Sequence, residues 1–207
     1  MPKMPLNEKI NTKHTCLLVI DIQIDFASPS GLLAKKGRDL SEVENMIGKL
    51  KTTIDTANEK EVLTLYTQQI YDRKHLNELQ KEQYDLDGKL VTCDIGTEGY
   101  KLYKINPPES EVYVKYNFNA FSNNDLIARL RQRNIKTIIV TGMDTIYCVE
   151  TAIRNAFDLG YKVVVATDLV AGNAKNKDLA EKTLEMASRM GVTTTSDEII
   201  EIWKTEY

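Results

Sequence analysis

Histidine, cysteine and tryptophan are scarce in this chain of 207 residues, with two, three and one. The two histidines, His14 and His75, lie far apart and match no standard metal-ligand spacing, so no metal and no cofactor are expected. Cys16, Cys93 and Cys148 are odd in number and have no paired spacing, which argues against a disulfide framework. No apolar run is long enough for a membrane span and the N-terminus is not signal-like, so a cytoplasmic location is expected. The net charge is only −3 with both signs mixed, so neither nucleic acid nor an anionic membrane is an expected partner. Internal repeats, low-complexity tracts and an interdomain linker are all missing, and the length suits one domain.

What the chain does contain is an alternation of short apolar runs with amphipathic stretches. Residues 16–20 form a continuous apolar run ending at Asp21, the pattern of a central parallel strand buried on both faces. An irregular stretch, 25–38, follows. Ser41-Glu42-Val43-Glu44 has capping-box spacing, and Val43, Ile47, Leu50, Ile54 and Ala57 then fall on one helical face. Residues 61–67 read as a second strand, 72–83 as a short charged helix and 111–116 as a third strand. Residues 84–110 read as a long, functional connection. A helix over 122–133, capped by Ser122 or Asn124, leads to a strand at 135–141 and a helix whose first turn holds Cys148. Gly160 can end that helix. A strand at 161–167, a helix at 176–190, an edge strand at 192–195 and a last helix at 197–205 complete the chain. Residues 1–13 read as a surface arm. Such alternation implies a three-layer α/β fold with a mostly parallel sheet of about six strands.

Ligands of open parallel sheets sit beyond the carboxyl ends of the strands. Asp21 stands at that end of the first strand, Lys115 at that of the third, and Cys148 in the helix start after the fourth. A carboxylate can accept a thiol proton, an ammonium can stabilise a thiolate, and a thiolate can attack a carbonyl. A helix N-terminus favours thiolate over thiol, and the turn before Cys148 offers N–H groups to an oxyanion. Gln23 and Asp25 are read as orienting the first loop, Cys16 as core, Cys93 as a loop thiol and His75 as a surface residue.

Four blocks carry a resemblance to a known family. They are residues 18–26 around Asp21-Ile22-Gln23-Ile24-Asp25-Phe26, residues 96–99, residues 114–121 around Lys115, and residues 142–152 around Cys148, joined by a later block at 160–168. In this combination and order the chain resembles the isochorismatase-like cysteine hydrolases. These include nicotinamidase, N-carbamoylsarcosine amidase and ureidoacrylate and biuret amidohydrolases. The resemblance implies Cys148 as nucleophile, Asp21 as general base and Lys115 as cationic partner. It implies a cis peptide at Met143–Asp144, with the Asp144 and Cys148 N–H groups forming an oxyanion hole. A pocket formed by Phe26, Gln68, Tyr116, Phe118, Phe121 and Tyr147 is expected.

The implied reaction is hydrolysis of a C–N bond in a small amide, ureide or carbamoyl amine through a thioester. The expected partners are that small molecule and further copies of the chain, as a dimer or tetramer. Nicotinamidases carry an Asp-x-His and a second histidine as metal ligands. Asp72 and His75 have the wrong spacing for that set, so nicotinamidase activity is the lesser alternative. A non-catalytic binding protein is the other. True isochorismatases act without a cysteine nucleophile, so Cys148 argues against vinyl-ether hydrolysis.

Overall fold

The computed structural model describes residues 4–87 and 91–206. The strands are β1 (Thr15–Ile20), β2 (Leu63–Gln69), β3 (Val112–Lys115), β4 (Thr137–Met143), β5 (Lys162–Ala171) and β6 (Val192–Thr194). The helices are α1 (Leu6–Lys9), α2 (Ile24–Ala27), α3 (Leu32–Lys35), α4 (Val43–Glu59), α5 (Glu78–Asp87), α6 (Asn124–Gln132), α7 (Glu150–Asp158), α8 (Lys177–Met190) and α9 (Ser196–Thr205). Among the described residues these strands form one sheet in the order β3-β2-β1-β4-β5-β6. Every pairing between them is parallel. None of the described helices is long and apolar enough to cross a membrane.

The period-two alternation of a strand explains the layers. Leu17 and Val19 of β1 belong to the core under α4 and α9, with Leu50, Ile54, Ile199 and Trp203. Cys16, Leu18 and Ile20 belong to the opposite core under α6, α7 and α8, with Leu126, Leu130, Ile153 and Ala187. β1 is buried along its whole length because helices cover both faces.

The order reverses at β1: β2 and β3 lie on one side, β4 to β6 on the other. The crevice for a ligand therefore opens beyond the carboxyl ends of β1 and β4. Gly142, opposite Ile20 in the β1–β4 ladder, lies at this point with φ +107°. A Cβ there would meet the Ile20 carbonyl oxygen at 2.2 Å, so no side chain fits. Gly142→Ala is expected to destabilise the protein by about 2 kcal/mol or more, read as a lower urea midpoint at unchanged slope.

Several local expectations change. The capping box at Ser41 does not form: α4 has no side-chain cap, and Glu44 instead binds Tyr103 Oη at 2.7 Å and Lys104 Nζ at 2.5 Å. The cap of α6 is Asn123, which accepts from the N–H groups of Asp125 and Leu126. The irregular stretch holds the short helices α2 and α3. Within the expected arm, residues 4–13 are docked: Ile10 is fully buried and its carbonyl accepts from Trp203 Nε1 at 2.9 Å. Residues 1–3 of that arm and 88–90 of the long connection lie outside the described residues.

Candidate active site

Asp21 ends β1 in a left-handed backbone conformation, φ +50°, which Asp tolerates better than most side chains. Its N–H donates to the Thr67 carbonyl, and Thr67 Oγ1 donates to Asp21 Oδ1 at 2.7 Å. Lys115 closes β3 and reaches under the neighbouring strand ends. Its Nζ lies 2.7 Å from Asp21 Oδ2 and 3.4 Å from Cys148 Sγ. Both side chains of the ion pair are wholly buried. Cys148 stands in one π-helical turn, Thr145–Val149, that runs into α7. The carboxylate, ammonium and thiol expected to meet at one sheet edge are thus in one cluster.

Gln69 is the member that sequence reasoning missed. Its Oε1 accepts from Lys115 Nζ at 3.0 Å and from Cys148 Sγ at 3.2 Å. Gln23 holds its backbone from both sides, Oε1 accepting from Gln69 N and Nε2 donating to Gln69 O, each at 2.8 Å. The expected second strand stopped at residue 67, but β2 runs to Gln69. Strand alternation places Thr67 and Gln69 on one face. Gln68 therefore turns away, its Nε2 donating to the Tyr100 carbonyl at 2.7 Å.

The first loop is held by Asp25, whose Oδ1 accepts from Leu32 N and Oδ2 from Cys93 N. The 96–99 block serves this contact: a Cβ on Gly99 would lie 2.0 Å from the Asp25 carboxylate. Cys93 lies in a loop, as expected, and is buried there. Its thiol, like that of Cys16, is pushed up chiefly by burial.

Charge corrects the expectation of a resting thiolate. Burial pushes the Cys148 thiol well above its ordinary value, the negative charge of Asp21 adds to this, and Lys115 opposes it. Asp21 and Lys115 already neutralise each other, so a thiolate would leave a net negative charge in a buried cluster. For Lys115, burial acts downward, but Asp21 and Cys148 outweigh it and hold the ammonium above its ordinary range. The resting cluster is a neutral thiol beside an ion pair.

The Met143–Asp144 peptide is cis. The Asp144 carboxylate caps the Thr145–Val149 turn, accepting from Ile146 N at 3.3 Å, and Asn173 N–H also donates to it. Burial raises this carboxyl, and those two N–H groups and the charge of Arg38 oppose the rise.

A cavity of about 180 Å³ opens above Cys148, lined by Phe26, Leu33, Arg38, Gln69, Tyr71, Phe118, Met143, Asp144 and Tyr147. Phe26, Phe118 and Tyr147 of the expected pocket are in this lining. Tyr116 and Phe121 are not. Tyr116 stacks on His75 at 3.9 Å between ring centroids, and Phe121 is buried in the core under α6 to α8. Both sit beside the Lys115 strand end in sequence, but Tyr116 turns to the His75 ring and Phe121 to the core. Arg38, Leu33, Tyr71 and Met143 were not anticipated. A larger groove of about 940 Å³, lined by Lys51, Asp55, Lys104 and Arg133 among others, includes no member of the Cys148 cluster.

A family model described as the isochorismatase domain matches residues 15–198. The chain belongs to the isochorismatase family. Among curated relatives of this isochorismatase-family chain, the ureidoacrylate amidohydrolase RutB of Enterobacter sp. is 28% identical, covering 81% of this chain and 80% of the relative. That of Agrobacterium fabrum is 25% identical with the same coverage. Among solved structures, a cysteine hydrolase from Pseudomonas syringae pv. phaseolicola superposes with TM-score 0.82, at 24% identity, covering 96% of each chain. A pyrazinamidase of Pyrococcus horikoshii, solved in complex with zinc, gives 0.73 at 23% identity, covering 88% of this chain and 99% of that one. These two structures support the fold.

Among the described residues, the donor set does not fit a zinc site. Asp72 Oδ2 and His75 Nδ1 engage each other at 3.1 Å. Among the described residues, no three His, Cys, Asp or Glu side chains cluster as metal ligands do.

Proposed function

We infer that this isochorismatase-family protein is a cysteine amidohydrolase that cleaves a C–N bond of a small amide, ureide or carbamoyl amine. The observation that carries the reading is the buried cluster of Asp21, Lys115 and Cys148 under a small cavity. The amidohydrolase names of the curated relatives agree with it.

In the first step Cys148 Sγ attacks the substrate carbonyl carbon while its proton passes to Asp21. The oxyanion is held by the backbone N–H groups of Asp144 and Cys148 at the start of the helical turn. Lys115 offsets the negative charge while the sulfur loses its proton. Collapse of the tetrahedral species breaks the C–N bond, and the departing amine takes the proton from Asp21. Water then gives a proton to Asp21 and attacks the thioester. The acid is released, the sulfur leaves as thiolate, and it recovers the proton. The sum is amide plus water to acid plus amine or ammonia. Gln69 is a positioning residue: it holds the thiol and the ammonium in register through one amide oxygen.

The test is a panel of small amides and ureides, nicotinamide and pyrazinamide included, scored by amine or ammonia release. Rapid acid quench and mass spectrometry of the Cys148 peptide follow. The expected result is turnover of at least one ureide or aliphatic amide with an acyl mass on Cys148. An acyl adduct on another residue, or no turnover across the panel, overturns the reading.

A further inference from the structure

The steps above use the main-chain N–H of Asp144 and leave its carboxylate without a task. Yet that side chain is built into the wall of the cavity above Cys148. Its Oδ1 accepts from Ile146 N at 3.3 Å. The carbonyl of the same residue accepts from Tyr147 N at 3.1 Å and from Val149 N at 3.2 Å. Side chain and backbone of one residue thus hold the open end of the turn that carries Cys148.

The segment that follows β5 meets the carboxylate from the other side. The ladder pairs Gly142 with Val170 and Met143 with Ala171, which brings Gly172 against Asp144. A Cβ on Gly172 would overlap the Asp144 carboxylate, so glycine leaves the room it needs. Asn173 N–H donates to it as well. This segment is itself fastened to the loop after α3. Asn173 Oδ1 accepts from Asp39 N at 3.0 Å, Asp39 O accepts from Ala174 N at 2.8 Å, and Lys175 Nζ donates to the Gly37 carbonyl at 3.0 Å. Asp144 is the point where the Cys148 turn joins that framework.

By charge alone a carboxylate is a poor neighbour for an oxyanion, since like charges repel and more strongly where water is excluded. Here its charge is met by two N–H groups and by Arg38, which lines the same cavity. An alanine would carry no such charge, but it would also hold nothing. An N–H donor stabilises an oxyanion only when fixed about 3 Å from where that oxygen forms.

We propose that Asp144 is a positioning residue, whose carboxylate clamps the Cys148 turn to residues 172–175 and thereby sets the Asp144 and Cys148 N–H groups as an oxyanion hole. This deepens the amidohydrolase reading and rests on it for the nucleophile and the hole.

The test uses two small reagents for the Cys148 thiol. In acetylation by p-nitrophenyl acetate, Sγ bonds to the ester carbonyl carbon through a tetrahedral oxyanion. The thiol proton passes to Asp21, the C–O bond breaks and p-nitrophenolate leaves. In alkylation by iodoacetamide, Sγ displaces iodide at a saturated carbon and no oxyanion forms. The ratio of the two rates therefore reads the hole and cancels changes in the reactivity of the sulfur. Rates are measured by mass spectrometry of the Cys148 peptide for the unaltered protein, Asp144→Ala and Asp144→Asn, with circular dichroism to check the fold. Asp144→Ala is expected to lower the ratio of acetylation to alkylation by about 100-fold. Asp144→Asn keeps one acceptor oxygen and is expected to lower it by about 10-fold. Being isosteric, it carries the test alone if Asp144→Ala does not fold. An unchanged or raised ratio overturns the proposal, as does an equal loss with both reagents or no acetylation of Cys148 in the unaltered protein. Loss of the ratio with no amide of the panel hydrolysed supports the clamp and removes the amidohydrolase. Amide turnover with kcat unimpaired in both variants removes the clamp and leaves the amidohydrolase standing.

Discussion

Cys148→Ala is expected to lower amide turnover by about 10⁴-fold or more, with the fold unchanged. The size follows from chemistry that no neighbour can replace. Cys16 is buried in the core strand, and Cys93 is buried and hydrogen-bonded toward the Gly99 carbonyl. No backup thiol therefore faces the cavity. The structural cost is small because the sulfur is not what keeps the charges paired: Asp21 and Lys115 remain 2.7 Å apart without it. Thermal unfolding and circular dichroism check the fold, and ammonia release checks the chemistry. Cys148→Ser keeps a hydrogen-bonding group toward Gln69 with a poorer nucleophile and is expected to be nearly as inactive. A Cys148→Ala protein with full turnover would falsify the nucleophile assignment.

Lys115→Met carries the second large effect, this time on stability as well as rate. The methionine fills much of the lysine volume but leaves the Asp21 carboxylate buried without its cation. Removing one partner of a buried pair typically costs about 3–5 kcal/mol. An exposed pair such as Lys101–Glu98 is worth much less. The urea midpoint is therefore expected to fall sharply for Lys115→Met. Adding Asp21→Asn should recover much of the loss, because no uncompensated charge then remains. Turnover should be lost in both. A loss below about 1 kcal/mol for Lys115→Met would mean that the pair is not desolvated as the geometry indicates. The pH dependence has a defined sign. Burial acts to lower the Lys115 ammonium, but Asp21 and Cys148 hold it above its ordinary value. The contribution of a raised group is complete below its unfolded-state value and lost as pH rises through the folded one. Its loss therefore belongs to strongly alkaline solution, and neutral pH leaves the pair intact.

Much of the fold was legible because burial writes periodicity into the chain. The continuous run at 16–20 announced a strand covered on both faces, and the alternation of such runs with helical stripes announced a parallel sheet. Strand ends were less legible. β2 continues through Gln68 and Gln69, polar residues that no hydrophobic pattern marks as strand, and the pocket assignment fell on Gln68 where the inward residue is Gln69. A one-residue change of parity moves a side chain to the other face of a sheet. Helix starts were similarly ambiguous. Ser, Asn and Asp all cap well, so composition offered Ser122 and Asn124 where geometry selects Asn123. Asp21, Lys115 and Cys148 could be found because each stands at a strand end or a helix start, places that sequence pattern locates. Arg38 could not, since it lies on a loop without periodicity and reaches the cavity only through ties to residues 173–175.

The sequence by itself determined the class of fold, the edge of the sheet where a ligand can sit, and the three side chains at that edge that are proposed to react. These depend on local pattern and residue type, which the chain carries in its order. Only the tertiary structure decided the charge state of the site and the shape of its cavity. Read locally, a cysteine at a helix start should be a thiolate. Read in the fold, burial and the charge of Asp21 keep Cys148 protonated. Desolvation and Coulomb energy depend on which atoms lie within a few ångströms, and residues 21, 38, 69, 115 and 148 become neighbours only when the sheet has formed.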